Sequence, residues 1–193
     1  LQQAAMVDHR LGRGHPAALR NNRHLAVLLA AGYLAETTGD LAAAQQAFVE
    51  IWQYDQEQSH FSAAALIGLG WVALKQEDWA AARRYFATAL PLIVKLETAP
   101  QALEALAGLA HLQAQAGQLE QALTLIGLVQ QHPSRSQESK DRLADLQAEL
   151  QALLPSEQVQ AALARGQASE LWATVTSLRA QIEASVPISG PIP

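Results

Sequence analysis

Apolar positions along this chain recur with a helical period, and the pattern itself repeats. From Leu66 to Ala89, LIGLGWVALKQEDWAAARRYFATA, the residues Leu66, Leu69 and Gly70 share one helical face. A polar break follows at Gln76-Glu77-Asp78, and Ala82, Phe86 and Ala89 then share a second face. Residues three and four apart lie on one side of an α-helix, so the spacing predicts a helix, a tight turn and a second helix with facing apolar stripes. Shifted back by 38 residues, the order recurs as Leu28, Ala31, Gly32, a break at Gly39-Asp40, then Ala44, Phe48 and Ile51. Shifted forward by 40, it recurs as Leu106, Leu109, Ala110, a break at Gly117-Gln118, then Ala122, Ile126 and Val129. Small residues at Gly32, Gly70 and Ala110, and at Ala44, Ala82 and Ala122, admit a close partner helix. Phe48, Phe86 and Ile126 fill the space between one hairpin and the next. One such hairpin cannot bury its apolar face alone, so stacked neighbours are expected.

Turn chemistry sets the element boundaries. Pro16 suits a first helical turn, and the first helix is expected from Pro16 to Thr37, with Asp40 capping a second helix that runs to about Gln56. Ser59 caps a helix to Lys75, and Asp78 caps the one after it, in which Pro91 predicts a bend or an early end. Pro100 opens a helix to Ala116, and Leu119 to Gln131 completes the third hairpin. The loop His132-Pro133-Ser134-Arg135-Ser136 ends the regular spacing. Ser136 to Leu153 carries Leu143, Leu146, Leu150 and Leu153 on one face with charges opposite. A short helix from Pro155 stops at Gly166, and Ser169 caps a last helix from Glu170 to Ser185. The division expected is therefore 1–15, the end of a truncated preceding repeat; 16–135, three helix pairs (about 16–58, 59–98 and 99–135); 136–185, capping helices; and 186–193, a disordered tail. Leu1 to Leu11 reads as the tail of a helix whose partner lies upstream, broken at Gly12 and Gly14, and the chain, which does not begin with Met, reads as part of something longer.

The small-large-small order, Leu69-Gly70 in a first helix and Ala82…Phe86…Ala89 in a second, resembles the tetratricopeptide repeat family. The units here exceed that family's usual length of about 34 residues, and its proline after the second helix is not in place. The longer form looks like the repeats of large bacterial signalling ATPases and transcriptional activators. The ending adds to this: QALTLIGLVQ, DRLADLQAEL and VQAALARGQASELWATVTSL, with Ala162, Ala164 and Gly166 followed by Ser169 and Leu171, resemble the C-terminal region of LuxR-type, maltose-activator-like or SARP-like regulators. The resemblance covers roughly Asn22 to Leu178. It implies an all-α, right-handed α-α superhelix closed by a C-terminal cap, attached to upstream nucleotide-binding and output domains. No G-x-x-x-x-G-K-[ST] phosphate loop stands in this chain.

Composition fits the helical reading. The chain has 193 residues, is 50% hydrophobic and carries a net charge of −5, enough for a continuous core and mildly acidic. It has no cysteine, which excludes disulfides and thiolate metal sites. No apolar run has the length of a membrane span and no signal peptide is visible, so a cytoplasmic location and no membrane contact are expected. The basic residues are scattered, with Arg10, Arg13, Arg20 and Arg23 the one loose cluster, so no direct nucleic-acid contact is expected.

Chemistry is sparse. His9, His15, His24, His60, His111 and His132 include no pair at the i, i+4 spacing of a helical metal site. Glu77-Asp78 reads as a turn with a cap rather than a catalytic pair. No serine lies in a G-x-S-x-G elbow, and Gly68-Leu69-Gly70 lies within a helical pattern rather than a dinucleotide loop. No catalytic residue, cofactor or metal is expected.

The repeat register supplies one further constellation. Tyr33, Trp71 and His111 follow the small slot in the three first helices, and Thr37, Lys75 and Gln115 lie one turn on. By the resemblance, Tyr33, Glu36, Thr37, Trp71, Lys75, His111 and Gln115 line or edge a concave groove that takes a peptide, a protein or a small inducer. The alternative is that Tyr33 and Trp71 pack between neighbouring first helices. Trp52 and Trp172 read as packing residues, and Trp79 as a contact between hairpins. Two functions follow. One is a non-catalytic interaction module of a bacterial signalling or transcriptional regulator, passing groove occupancy to upstream domains. The other is a structural scaffold that self-associates, as a homodimer for example, through the edge of the first helix and the apolar tail. An enzyme reading finds no acid–base or nucleophile set, and RNA binding would need a basic face.

Overall fold

The computed structural model describes residues 16–55 and 59–185, and the described chain is all-helical. The helices are α1 (Pro16–Thr38), α2 (Leu41–Tyr54), α3 (His60–Lys75), α4 (Trp79–Leu96), α5 (Ala99–Gln115), α6 (Leu119–Gln131), α7 (Gln137–Leu153), α8 (Ser156–Gln167) and α9 (Leu171–Ser185). The expectations for 1–15 and 186–193 lie outside the described residues.

Each helix from α1 to α6 packs on the next, and the first helix of each pair also packs on the first helix of the following pair, α1 on α3 and α3 on α5. The three turns inside these pairs share one hydrogen-bond pattern. Asp40, Asp78 and Gln118 donate their backbone N–H to the carbonyls of Ala35, Ala73 and Gln113. Gly39, Glu77 and Gly117 donate to Glu36, Leu74 and Ala114. These last three residues all take positive φ, +86°, +58° and +77°. Glycine adopts that conformation freely, whereas Glu77 holds it against the clash of its own Cβ. Asp40 and Asp78 then cap the second helices through Ala43 N and Ala81 N, at 3.0 and 2.9 Å; Gln118, in the third turn, makes no side-chain cap bond.

The large-on-small logic of the core is realised by rings against glycines. A Cβ built on Gly32 or Gly68 would lie 2.6 or 2.5 Å from the Phe48 ring. One built on Gly70 or Gly108 would lie 2.6 or 2.1 Å from the Phe86 ring. Each phenylalanine is fully buried between two first helices that could not accept even a methyl group there. The third pair lacks this arrangement. Its second helix, α6, packs instead on α8, with Gly127 against the Leu163 carbonyl and Gly166 against the Thr124 carbonyl.

Three local expectations are corrected. Pro91 does not end α4, which continues to Leu96 because Leu90, Leu92 and Ile93 are buried in the core and hold the last turn past the missing N–H. Gly166 does not stop α8; it lies inside the helix, where the crossing with α6 requires a bare backbone. Ser169 does not cap α9. The Glu170 carboxylate does so, accepting from Trp172 N and Ala173 N at 3.1 and 2.6 Å, while Ser169 Oγ donates to the Arg165 carbonyl. Ser59 does cap α3, with its Oγ accepting from Phe61 N at 3.1 Å. Behind it, buried Asp55 accepts from Ser59 and Ser62 through both backbone and hydroxyl, which holds its carboxyl below the ordinary value against the cost of burial.

Candidate functional site

The face shared by α1, α3 and α5 is where the repeat register places its aromatic and polar residues, and α7 lies against it. Arg142 of α7 is the centre. Its guanidinium is seated over the Trp71 ring, 4.2 Å from the ring centre. Its Nη1 and Nη2 donate to Glu36 Oε1 and Oε2 at 2.9 and 3.0 Å, a two-pronged pair. Nη2 also donates to Glu138 one turn back, and Nε lies 3.9 Å from Glu104. The Arg142 carbonyl is 3.1 Å from His111 Nε2, and the His111 ring meets Trp71 edge-on at 5.4 Å. Ser136 and Ser139, at the start of α7, donate to Glu104.

The sequence-derived groove residues therefore divide. Tyr33, Glu36, Trp71, Lys75 and His111 come together around Arg142. Trp71 is 4% exposed and Glu36 only 1%. Lys75 Nζ reaches Glu36 Oε1 at 3.0 Å and the Glu36 carbonyl at 3.1 Å, with its side chain 43% exposed. Tyr33 packs edge-on to Phe48 at 5.4 Å. Thr37 is exposed and donates to the Leu34 carbonyl of its own helix, and Gln115 is exposed at the end of α5, outside the cluster. Trp52, Trp79 and Trp172 are partly buried against the core.

Arg142, Glu104, Glu138 and Ser139 were not singled out by the sequence. Arg142 stands four residues after Glu138, a spacing that reads as a surface ion pair. The one available signal was its place beside the buried stripe Ser139, Leu143, Leu146 and Leu150.

The electrostatics follow from burial and charge. Burial opposes ionisation of Glu36, but the hydrogen bonds and charge of Arg142, and then of Lys75, outweigh it and hold the carboxyl below its ordinary value. Burial, helped by the nearby Glu104 and Glu138 carboxylates, pushes the Tyr33 hydroxyl well above its usual range. Burial, with the Arg142 charge, keeps His111 below the ordinary histidine value, although the Arg142 carbonyl favours the protonated ring. The Trp71 indole N–H is buried without an acceptor among the described residues.

Beside α7 the face remains open as a cleft of about 580 Å³, bounded by Tyr33, Glu36, Thr37, Lys75, Glu138 and Arg142 among others. A second cleft, of about 390 Å³, lies where α5 and α6 meet α9, with Arg83, Gln113, Gln121, Leu178 and Ile182 in its wall; Gln113 Oε1 is buried there without a donor among the described residues. Among the described residues no three histidine or acidic side chains are grouped to hold a metal ion, and no helix is long and apolar enough to cross a membrane. No family model, no curated protein and no solved structure matches the chain.

Proposed function

We propose that the chain is a non-catalytic, tetratricopeptide-like interaction module of a bacterial signalling or transcriptional regulator. Its three helix pairs stack as a right-handed α-α superhelix, with α7 to α9 as the cap. The identical turn bonds, the rings held between glycines and the contacts between successive first helices support the stacking. The observation that carries the functional reading is the cleft left open beside α7, where Tyr33 and Glu36 of α1 and Lys75 of α3 stand with Glu138 and Arg142 of α7. The cap narrows the groove to the cleft beside α7. A peptide or small inducer bound there meets Thr37, Lys75 and Glu138 at the surface and competes for the Glu36 carboxylate that holds Arg142. Occupancy would reach upstream domains by loosening the seat of α7, provided that the ligand binds the loosened state more tightly.

The test is a peptide array probed with the full chain, followed by titration of the strongest peptide under tryptophan fluorescence. Binding that weakens about tenfold in Lys75→Ala supports the cleft. An array without binders, or binding indifferent to Lys75→Ala, goes against it. The second reading, a self-association scaffold without a ligand, is favoured by a different observation, the exposure of Val27 and Leu34 on α1 among the described residues.

A further inference from the structure

The cleft beside α7 has two unlike walls. Tyr33 and Lys75 stand on one, and Glu138 and Asp141, a turn apart on α7, stand on the other. Deeper in, the charges are already matched. Both Glu36 oxygens accept from Arg142, and Oε1 also meets Lys75 at 3.0 Å. The Arg142 guanidinium lies between that carboxylate, Glu138 and the Trp71 ring, with its side chain only 11% exposed. A ligand is therefore met first by what remains at the rim.

What remains is uneven. Asp141 Oδ1 accepts from Gln137 at 2.8 Å, and its other oxygen makes no hydrogen bond among the described residues. Glu138 accepts from Arg142 Nη2 through one oxygen and is 48% exposed, which leaves the second oxygen open. On the facing wall Lys75 places two of its three N–H groups on Glu36, one on the carboxylate and one on the backbone carbonyl, and keeps the third. The Tyr33 hydroxyl, which burial keeps protonated, makes no hydrogen bond among the described residues and can both donate and accept. The rim thus presents open carboxylate oxygens on α7 and donors across from them. An anion meets those oxygens as a like charge, and an apolar group strips their water without replacing it. A basic side chain satisfies them, and the planar fork of a guanidinium matches two neighbouring carboxylates. An acceptor on the same ligand then takes the third Lys75 N–H.

The carboxylates continue beyond the cleft. Asp145 and Glu149 follow Asp141 at four-residue steps, and both are exposed. With Glu138 they form one stripe along α7, about 16 Å long at 1.5 Å per residue. Glu149 lies near enough to His111 to favour its protonated ring, so the stripe runs along the edge of α7 that borders the first helices. A small inducer fills the cleft but not the stripe. An extended peptide of about five residues, at about 3.3 Å each, follows both.

We infer that the cleft takes a peptide by a basic side chain, an arginine above all, seated between Glu138 and Asp141 while a peptide carbonyl accepts from Lys75. This rests on the reading of the cleft as a binding site and adds the chemistry of its ligand.

The test probes an array of capped octapeptides of random sequence with the full chain, and then titrates the strongest binder in solution. Asp141 is exposed and bonded only to Gln137 on its own helix, so Asp141→Asn and Asp141→Lys leave the circular dichroism unchanged. The expected binders are rich in arginine and lysine. Replacing the arginine of the strongest peptide by citrulline, which keeps the shape and drops the charge, weakens binding about tenfold or more. Asp141→Asn weakens the arginine peptide by a similar factor and leaves the citrulline peptide alone. Asp141→Lys prefers the version of that peptide in which glutamate replaces the arginine. Glu157→Gln, at an exposed carboxylate on α8, changes nothing, and Lys75→Ala weakens the arginine and citrulline peptides alike. Binders without a basic residue that Lys75→Ala still weakens overturn the inference and leave the cleft reading standing. So do basic binders that Asp141→Asn and Glu157→Gln affect equally. An array without binders removes the cleft reading and the inference together.

Discussion

In the front of the molecule, α1 to α5, close approach is made by a ring against glycines; in the rear, α6 to α9, it is made by backbone against backbone. Phe48 lies between Gly32 and Gly68, and Phe86 between Gly70 and Gly108. At the α6–α8 crossing, a Cβ on Gly127 would stand 2.3 Å from the Leu163 carbonyl oxygen, and one on Gly166 only 1.9 Å from the Thr124 carbonyl oxygen. The residue type is the same, but the neighbours differ in what they can yield. A ring can be truncated or tilted. A helix backbone at a crossing can move only if the whole helix moves. Glycine in the front therefore matches a particular side chain, whereas glycine in the rear fixes the distance between two helices, and through α8 the placement of the cap.

Substitutions separate the two uses. Gly166→Ala is expected to have the largest effect, a loss of about 3 kcal/mol or more in urea unfolding, with faster amide exchange in α6 and α8. No truncation of a neighbouring side chain restores it. Gly70→Ala is expected to cost less, about 1–3 kcal/mol. Combined with Phe86→Leu it should be non-additive by more than about 1 kcal/mol, because the smaller side chain vacates the space the methyl group needs. Equal rescue at both sites, or at neither, would erase the distinction.

The seam between front and rear is polar, and it should respond to acid. His111 has a folded-state value below the unfolded value of about 6.5, so the fold prefers its neutral ring. Its contribution is full above about pH 6.5 and declines as the pH falls towards the folded value. Glu36 is also depressed, from an unfolded value of about 4.3. Its contribution is full above that pH and is lost as the pH falls through the folded value. Urea midpoints measured from pH 8 to pH 3 should fall in two stages, about the ranges those two values set. His111→Gln should remove the first stage and leave the second. A profile in which both stages survive the substitution would place the first one elsewhere.

Much of the front was legible in the sequence. Gly32, Gly70, Phe48 and Phe86 stand where a helical period and a repeat register place them, and Asp40, Ser59 and Asp78 cap the helices that follow. These signals are local or periodic. Gly68 and Gly108 were not read as ring contacts, although they are the second half of each sandwich, because they lie off the small-residue slot used to align the repeats. The rear was less legible. Gly166 near a helix end looks like a stop signal whether or not a second helix crosses there. The seam was the least legible part: Arg142 meets Glu36 across 106 residues of sequence, and nothing local distinguishes it from a surface arginine paired with Glu138. The register did bring Tyr33, Glu36, Trp71, Lys75 and His111 to one face; the helix that lies on it was read only as a cap.

The rear meets the front through the two-pronged pair of Arg142 and Glu36, which should couple the two in stability. A double-mutant cycle measures this most directly, with Glu36→Gln, Arg142→Gln and the pair compared in urea unfolding at pH 7. Removing one partner leaves Glu36 with Lys75 alone, or Arg142 with Glu138 and the more distant Glu104, at a cost of about 3 kcal/mol. Removing both should cost less than the sum, with a coupling of about 2–3 kcal/mol. A coupling within about 0.5 kcal/mol, the range of an exposed ion pair, would mean that this pair does not hold the rear to the front.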